Sequence, residues 1–172
     1  MINDIKYLIK KGYISKDDSV KNLSQRYLQK AKNNLVTMKI LSEIQENKKA
    51  RDLLKIPLDY NSDEWVVIVG YYTMYSSALA LIAKIGYRSK NHNATIILLE
   101  EFFIKKKLMS KEDIGLLKNA VIKKEEIEKL SEARHKREIA QYSVTKQTTK
   151  EIAKSVMQDA YNFINKVEEI VM

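Results

Sequence analysis

A chain of 172 residues has the length of one domain and can bury a substantial core without covalent staples. It contains no cysteine and only two histidines, His92 and His135, which excludes disulfides, thiolate metal sites, a Cys nucleophile and any His-rich metal centre. Its net charge is +9, with the Lys/Arg excess in residues 1–60 and 105–150, while residues 61–104 and 151–172 are slightly acidic. Such a basic surface favours a polyanion such as RNA through phosphate contacts and counterion release, although it also serves solubility alone.

The opening stretch, MINDIKYLIKKGY, lacks a long apolar core and a small-residue cleavage site, so no signal peptide is expected. Residues 3–11 predict a short helix ending at Gly12. Asp17, Asp18 and Ser19 then offer N-caps for a long helix to about Glu46, with Leu23, Tyr27, Ala31, Leu35, Met38 and Leu41 along one stripe. Residues 48–56 read as a short helix stopped by Pro57, followed by a turn at 59–61.

Ser62 caps the next predicted helix, over 63–85, and Asp63 and Glu64 suit its N-terminal dipole. That segment is apolar almost all round, from Trp65 through Val69 to Ala78, Leu81 and Ile85, so it belongs at the centre of a bundle. Tyrosines and serines break it, and no apolar run reaches the roughly 18–20 residues of a membrane span. A soluble, cytoplasmic protein without a membrane segment is therefore expected. Gly86 is the predicted C-cap, and Asn91 starts a helix running through Phe102 and Phe103 to about Lys107. Ser110 to Asp113 forms a capping signature for a helix to about Tyr142. Residues 143–145 interrupt it, and 147–171 form a last helix with Ile152, Val156, Ala160, Phe163 and Val167 on one side. One proline, four glycines and the absence of strict apolar alternation argue against sheet. The expected fold is all-α: an up-and-down helical bundle of about four main helices plus short additional helices. It forms a single domain over residues 1–172, with 3–11 as an N-terminal extension.

Two blocks are the most informative. Residues 71–96 form an aromatic-rich apolar helix closed by Gly86 and a basic turn containing His92. Residues 134–142, RHKREIAQY, supply Arg134, His135, Arg137, Gln141 and Tyr142 on a helical stretch. Tyr71 to Tyr75, Ala78 to Gly86, Ser89 to His92 and Arg137 to Tyr142, in this order and spacing, resemble the HEPN family over roughly residues 19–171. The resemblance implies a homodimer without metal or cofactor. Many relatives are metal-independent RNases, and others pair with a small nucleotidyltransferase in toxin–antitoxin modules. It therefore implies an RNA-associated protein of toxin–antitoxin or defence type, either a divergent RNase or a non-cleaving RNA binder. The alternative is a helical dimeric partner module for a nucleotidyltransferase or another protein, with Tyr142 as its modification target. A third reading is a purely structural helical protein.

The family's RNase signature is an Arg followed, after four to six residues, by a His on the same helix. There the His serves as general acid or base and the Arg stabilises phosphate charge. In this chain those positions after Arg134 hold Ile139, Ala140 and Gln141, and after Arg137 they hold Tyr142, Ser143 and Val144. His135 directly follows Arg134 and projects about 100° away around a helix. Arg134, Arg137 and Gln141 share a helical face that suits a phosphate or carboxylate, while His135 and Tyr142 share another. An internal salt-bridge network that fixes the bundle or dimer explains the same residues equally well. Arg88, Lys90 and His92, at a helix start, offer a phosphate-binding turn, or His92 buttresses a neighbouring helix. Tyr71, Tyr72 and Tyr75 suit core or dimer packing better than base stacking. The lysines at 105–107 and 123–124 read as solvated, as do the adjacent acids at 100–101 and 125–126.

Overall fold

The computed structural model describes residues 5–136 and 142–172, with side chains described for 5–127 and 150–172. The first helix, α1 (Ile5–Lys10), stops at Gly12, whose φ of +71° lies where a side chain would be strained. Strand β1 (Ile14–Lys16) follows, then a 3-10 segment, Asp18–Leu23, and helix α2 (Ser24–Glu46). The cap at Asp17 is present, accepting from the Ser19 N–H at 3.0 Å, but it caps the 3-10 segment and not a continuous long helix. Tertiary contacts set that break: Val20 is buried, and the buried Ser24 hydroxyl donates to the Ala80 carbonyl at 2.8 Å. Helix α3 (Lys48–Leu53) ends earlier than the sequence suggests, at a turn with Lys55 at φ +52°. The Arg51 guanidinium pins that turn by donating to the Pro57 carbonyl at 2.6 Å.

Helix α4 (Asp63–Lys84) is the central element and packs against α2, α6 (Lys111–Lys136) and α7 (Tyr142–Val171). Ser62 occupies its N-cap position without capping it. Its hydroxyl donates to the Leu41 carbonyl at 2.7 Å, and the Asn61 side chain accepts from the Asp63 N–H instead. Nor is α4 covered all round: Trp65 is 55% exposed and Tyr72 45%. By length and composition α4 could cross a membrane, yet 72% of its most apolar stretch is buried inside the bundle.

Strand β2 (Tyr87–Ser89) pairs antiparallel with β1, aligning Ile14 with Ser89 and Lys16 with Tyr87. Three residues per strand are too few to show an alternating pattern, so the sequence alone conceals this ribbon. Asn91 caps α5 (His92–Leu99), accepting from the Ala94 N–H at 2.8 Å, and a π-helical turn, Glu100–Ile104, extends it. At the start of α6, Ser110 and Asp113 cap reciprocally at 2.8 and 3.1 Å. Residues 143–145 are helical, so α7 begins at Tyr142, earlier than its apolar stripe indicates.

Gly70 lies where α4 meets both α2 and α7. A Cβ there would stand 2.5 Å from the Val156 side chain and 3.1 Å from the Met38 sulfur. Val156 and Met38 are themselves fully buried, so they have little room to retreat. Gly70→Val is expected to cost about 3 kcal/mol through overpacking, read as a lowered thermal midpoint. An unchanged midpoint would show that the three helices can separate at this point.

Candidate functional site

Two regions hold the sequence-predicted site residues. Helices α6 and α7 run antiparallel, joined by Lys123 to Asp159 (3.5 Å) and to Ser155 (3.0 Å). Lys150 reaches Glu46, the last residue of α2, at 2.8 Å and holds that carboxyl below its usual range. Tyr142 starts α7 eight residues before Lys150, about 12 Å of helix. The start of α7 therefore extends past the end of α2. Arg134 and His135 fall in the last turn of α6 and Tyr142 at the first residue of α7. The side chains of Arg134, His135 and Tyr142, and the whole of Arg137 and Gln141, lie outside the described residues.

The second region surrounds His92. Asn91 caps α5 and so places the imidazole of the next residue against α4. The hydroxyl of buried Tyr71 lies 3.0 and 3.2 Å from the two ring nitrogens. Tyr75 meets the same ring edge-on at 4.8 Å and stacks with Tyr71 at 5.8 Å. On the third side α6 brings Lys124, whose ammonium sits 5.3 Å above the Tyr71 ring. Burial and the Lys124 charge hold the His92 pKa below its ordinary value, against an opposing pull from Glu125. The imidazole is therefore neutral at pH 7 and can accept a proton, with a cation beside it.

The His135 side chain lies outside the described residues, and only its position on α6 can be compared with His92. His135 lies eleven residues beyond Lys124 on the same helix, about 16 Å along its axis. The basic turn is also divided in its contacts. Arg88 donates from Nε to the Asp17 carboxylate at 3.0 Å, Lys90 is exposed beside Gly12, and His92 faces Tyr71 and Tyr75. Tyr71 and Tyr75 are packed against the core, whereas Tyr72 remains nearly half exposed. Lys124 is the participant that sequence reasoning passed over as solvated. In the sequence it is one of two adjacent lysines, and only the packing of α6 on α4 distinguishes it from Lys123.

The all-α bundle with its central apolar helix matches a known class of helical domain. The chain belongs to the HEPN domain family, whose model matches residues 24–170. A UPF0332 protein of Archaeoglobus fulgidus is 31% identical over 101 residues, covering 59% of this chain and 70% of the relative. No solved structure matches the chain.

The His92 pKa shift predicts a pH dependence of stability. A folded-state pKa below the unfolded value near 6.5 means that the unfolded chain binds protons first as pH falls. The contribution of the neutral imidazole is thus fully present above about pH 6.5 and is lost as pH drops through the lower folded value. Denaturant midpoints between pH 7.5 and 5 are expected to fall in the wild type and to fall less in His92→Gln. Identical slopes would remove His92 as the cause.

Proposed function

We propose that the protein is an RNA-associated HEPN protein of toxin–antitoxin or defence type, binding RNA through the 134–142 block. The observation that supports this most is that the family match, residues 24–170, includes this block at the α6–α7 junction. Arg134, Arg137 and Gln141 supply a phosphate-binding face there. No His follows either arginine at the spacing of the family's ribonuclease signature, so cleavage is weakened or lost and RNA binding remains. Any residual cleavage is metal-independent and depends on Arg137 together with His135 or His92, the available general acid–base groups.

The second reading is a dimeric partner module for a nucleotidyltransferase or another protein, with Tyr142 as its modification target. Apolar exposure favours it: Leu53, at the end of α3, is 83% exposed, and Leu58, in the α3–α4 connection, is 98% exposed. Exposed leucines suit a protein partner better than a phosphate backbone.

Labelled single-stranded RNA incubated with the protein in EDTA separates these readings. Retention of RNA without cleavage, weakened by Arg137→Ala, is the expected result. Cleavage that Arg137→Ala abolishes would identify a divergent ribonuclease. Neither binding nor cleavage would overturn the RNA reading in favour of the partner module.

A further inference from the structure

The segment before Ser24 precedes the family-matched residues, yet it is built into the fold. Leu8, Ile14 and Val20 are buried, and β1 pairs with β2 in a register that sets Ser15 opposite Arg88. The Lys90 N–H extends this ribbon by donating to the Tyr13 carbonyl at 2.9 Å. Strand side chains alternate, so Tyr13, Ser15, Arg88 and Lys90 share one face of the ribbon, opposite to buried Ile14. All four line a cleft of about 300 Å³, walled on its other sides by Val20, Tyr27 and Leu79.

Of the two cations on that face, one is already committed. Arg88 is held by Asp17 at 3.0 Å, and the neighbouring Asp18 is held by Lys21 at 2.9 Å. Among the described residues the Lys90 ammonium has no ion-pair partner. The hydroxyls of Tyr13 and Tyr27 are likewise without a protein hydrogen bond among the described residues. Gly12 keeps the rim beside Lys90 open, since even a Cβ there would stand 3.9 Å from the ammonium. One free cation matches one negative charge. A phosphate monoester carries nearly two at neutral pH and would leave the second unmatched.

We propose that this cleft binds a small aromatic monocarboxylate, with its ring between Tyr27 and the aliphatic walls and its carboxylate on Lys90. The volume is at the lower end of ordinary ligand pockets, which suits one ring system. A tyrosine wall receives a flat ring edge-on or stacked, and Val20 and Leu79 cover its remaining apolar surface. The carboxylate accepts from the Lys90 ammonium and from the free tyrosine hydroxyls, so both of its oxygens find donors. This site is separate from the 134–142 block and does not rest on the RNA reading.

The test titrates the full chain with phenylacetate by calorimetry at low salt and by amide chemical-shift mapping, with phenylacetamide, acetate and AMP in parallel. Phenylacetate is expected to bind with a Kd below about 1 mM and to shift the amides of Gly12, Tyr13 and Lys90. Phenylacetamide keeps the ring and loses the charge, so it is expected to bind about tenfold more weakly, with acetate and AMP weaker still. Lys90→Gln, at an exposed position, is expected to weaken phenylacetate about tenfold and to leave phenylacetamide unchanged. The proposal is overturned by no binding of phenylacetate, by AMP binding as tightly, or by shifts confined to residues outside the cleft. A preference for phenylacetate over phenylacetamide that survives Lys90→Gln would overturn it as well.

Discussion

The close approach of α4 to α2 and α7 at Gly70 is the constraint on which the remaining architecture depends. Only a residue without a side chain lets the α4 backbone pass the Val156 methyl and the Met38 sulfur at this distance. With α4 seated there, its other turns place Tyr71, Met74 and Leu81 in the core. The same face then presents Tyr71 and Tyr75 to α5 and α6. The helix that looks most like a membrane segment by composition is apolar because three neighbours cover it.

That packing also separates the polar features. The His92 cluster forms where α5 and α6 meet α4, so it inherits a partly desolvated environment and a neighbouring lysine. The bundle therefore offers an imidazole held in its neutral form at its side. Arg134 and His135 lie further along α6, in its last turn. The extension before Ser24, outside the family match, pairs its strand β1 with β2 of the bundle.

Much of this was legible in the sequence because helix signals are local. Gly12 and Gly86 mark helix ends by their positive φ, Asn91 caps α5, and the Ser110–Asp113 pair caps α6 as its spacing indicates. The stripe from Val156 to Val167 faces the core as a period of 3.6 requires. Other elements depend on contacts distant in sequence and left no local trace. Ser62 is an N-cap residue by type, but the Leu41 carbonyl captures its hydroxyl. Trp65 reads as core but is 55% exposed. The β1–β2 ribbon joins residues more than seventy positions apart, and Lys124 acquires meaning only from the ring that lies beneath it. At the candidate site, the missing Arg–His spacing was evident from residue order alone, whereas the surroundings of His92 required the fold.

The proposed function takes RNA as the partner, with phosphate contacts as the source of affinity. Equilibrium binding of single-stranded RNA across a range of salt concentrations, for wild type and for Arg134→Ala/Arg137→Ala, tests that claim most directly. The account predicts affinity that falls steeply with salt, and a log–log slope reduced by about one to two in the double variant. Binding that ignores salt, or a double variant that binds as the wild type does, would contradict it.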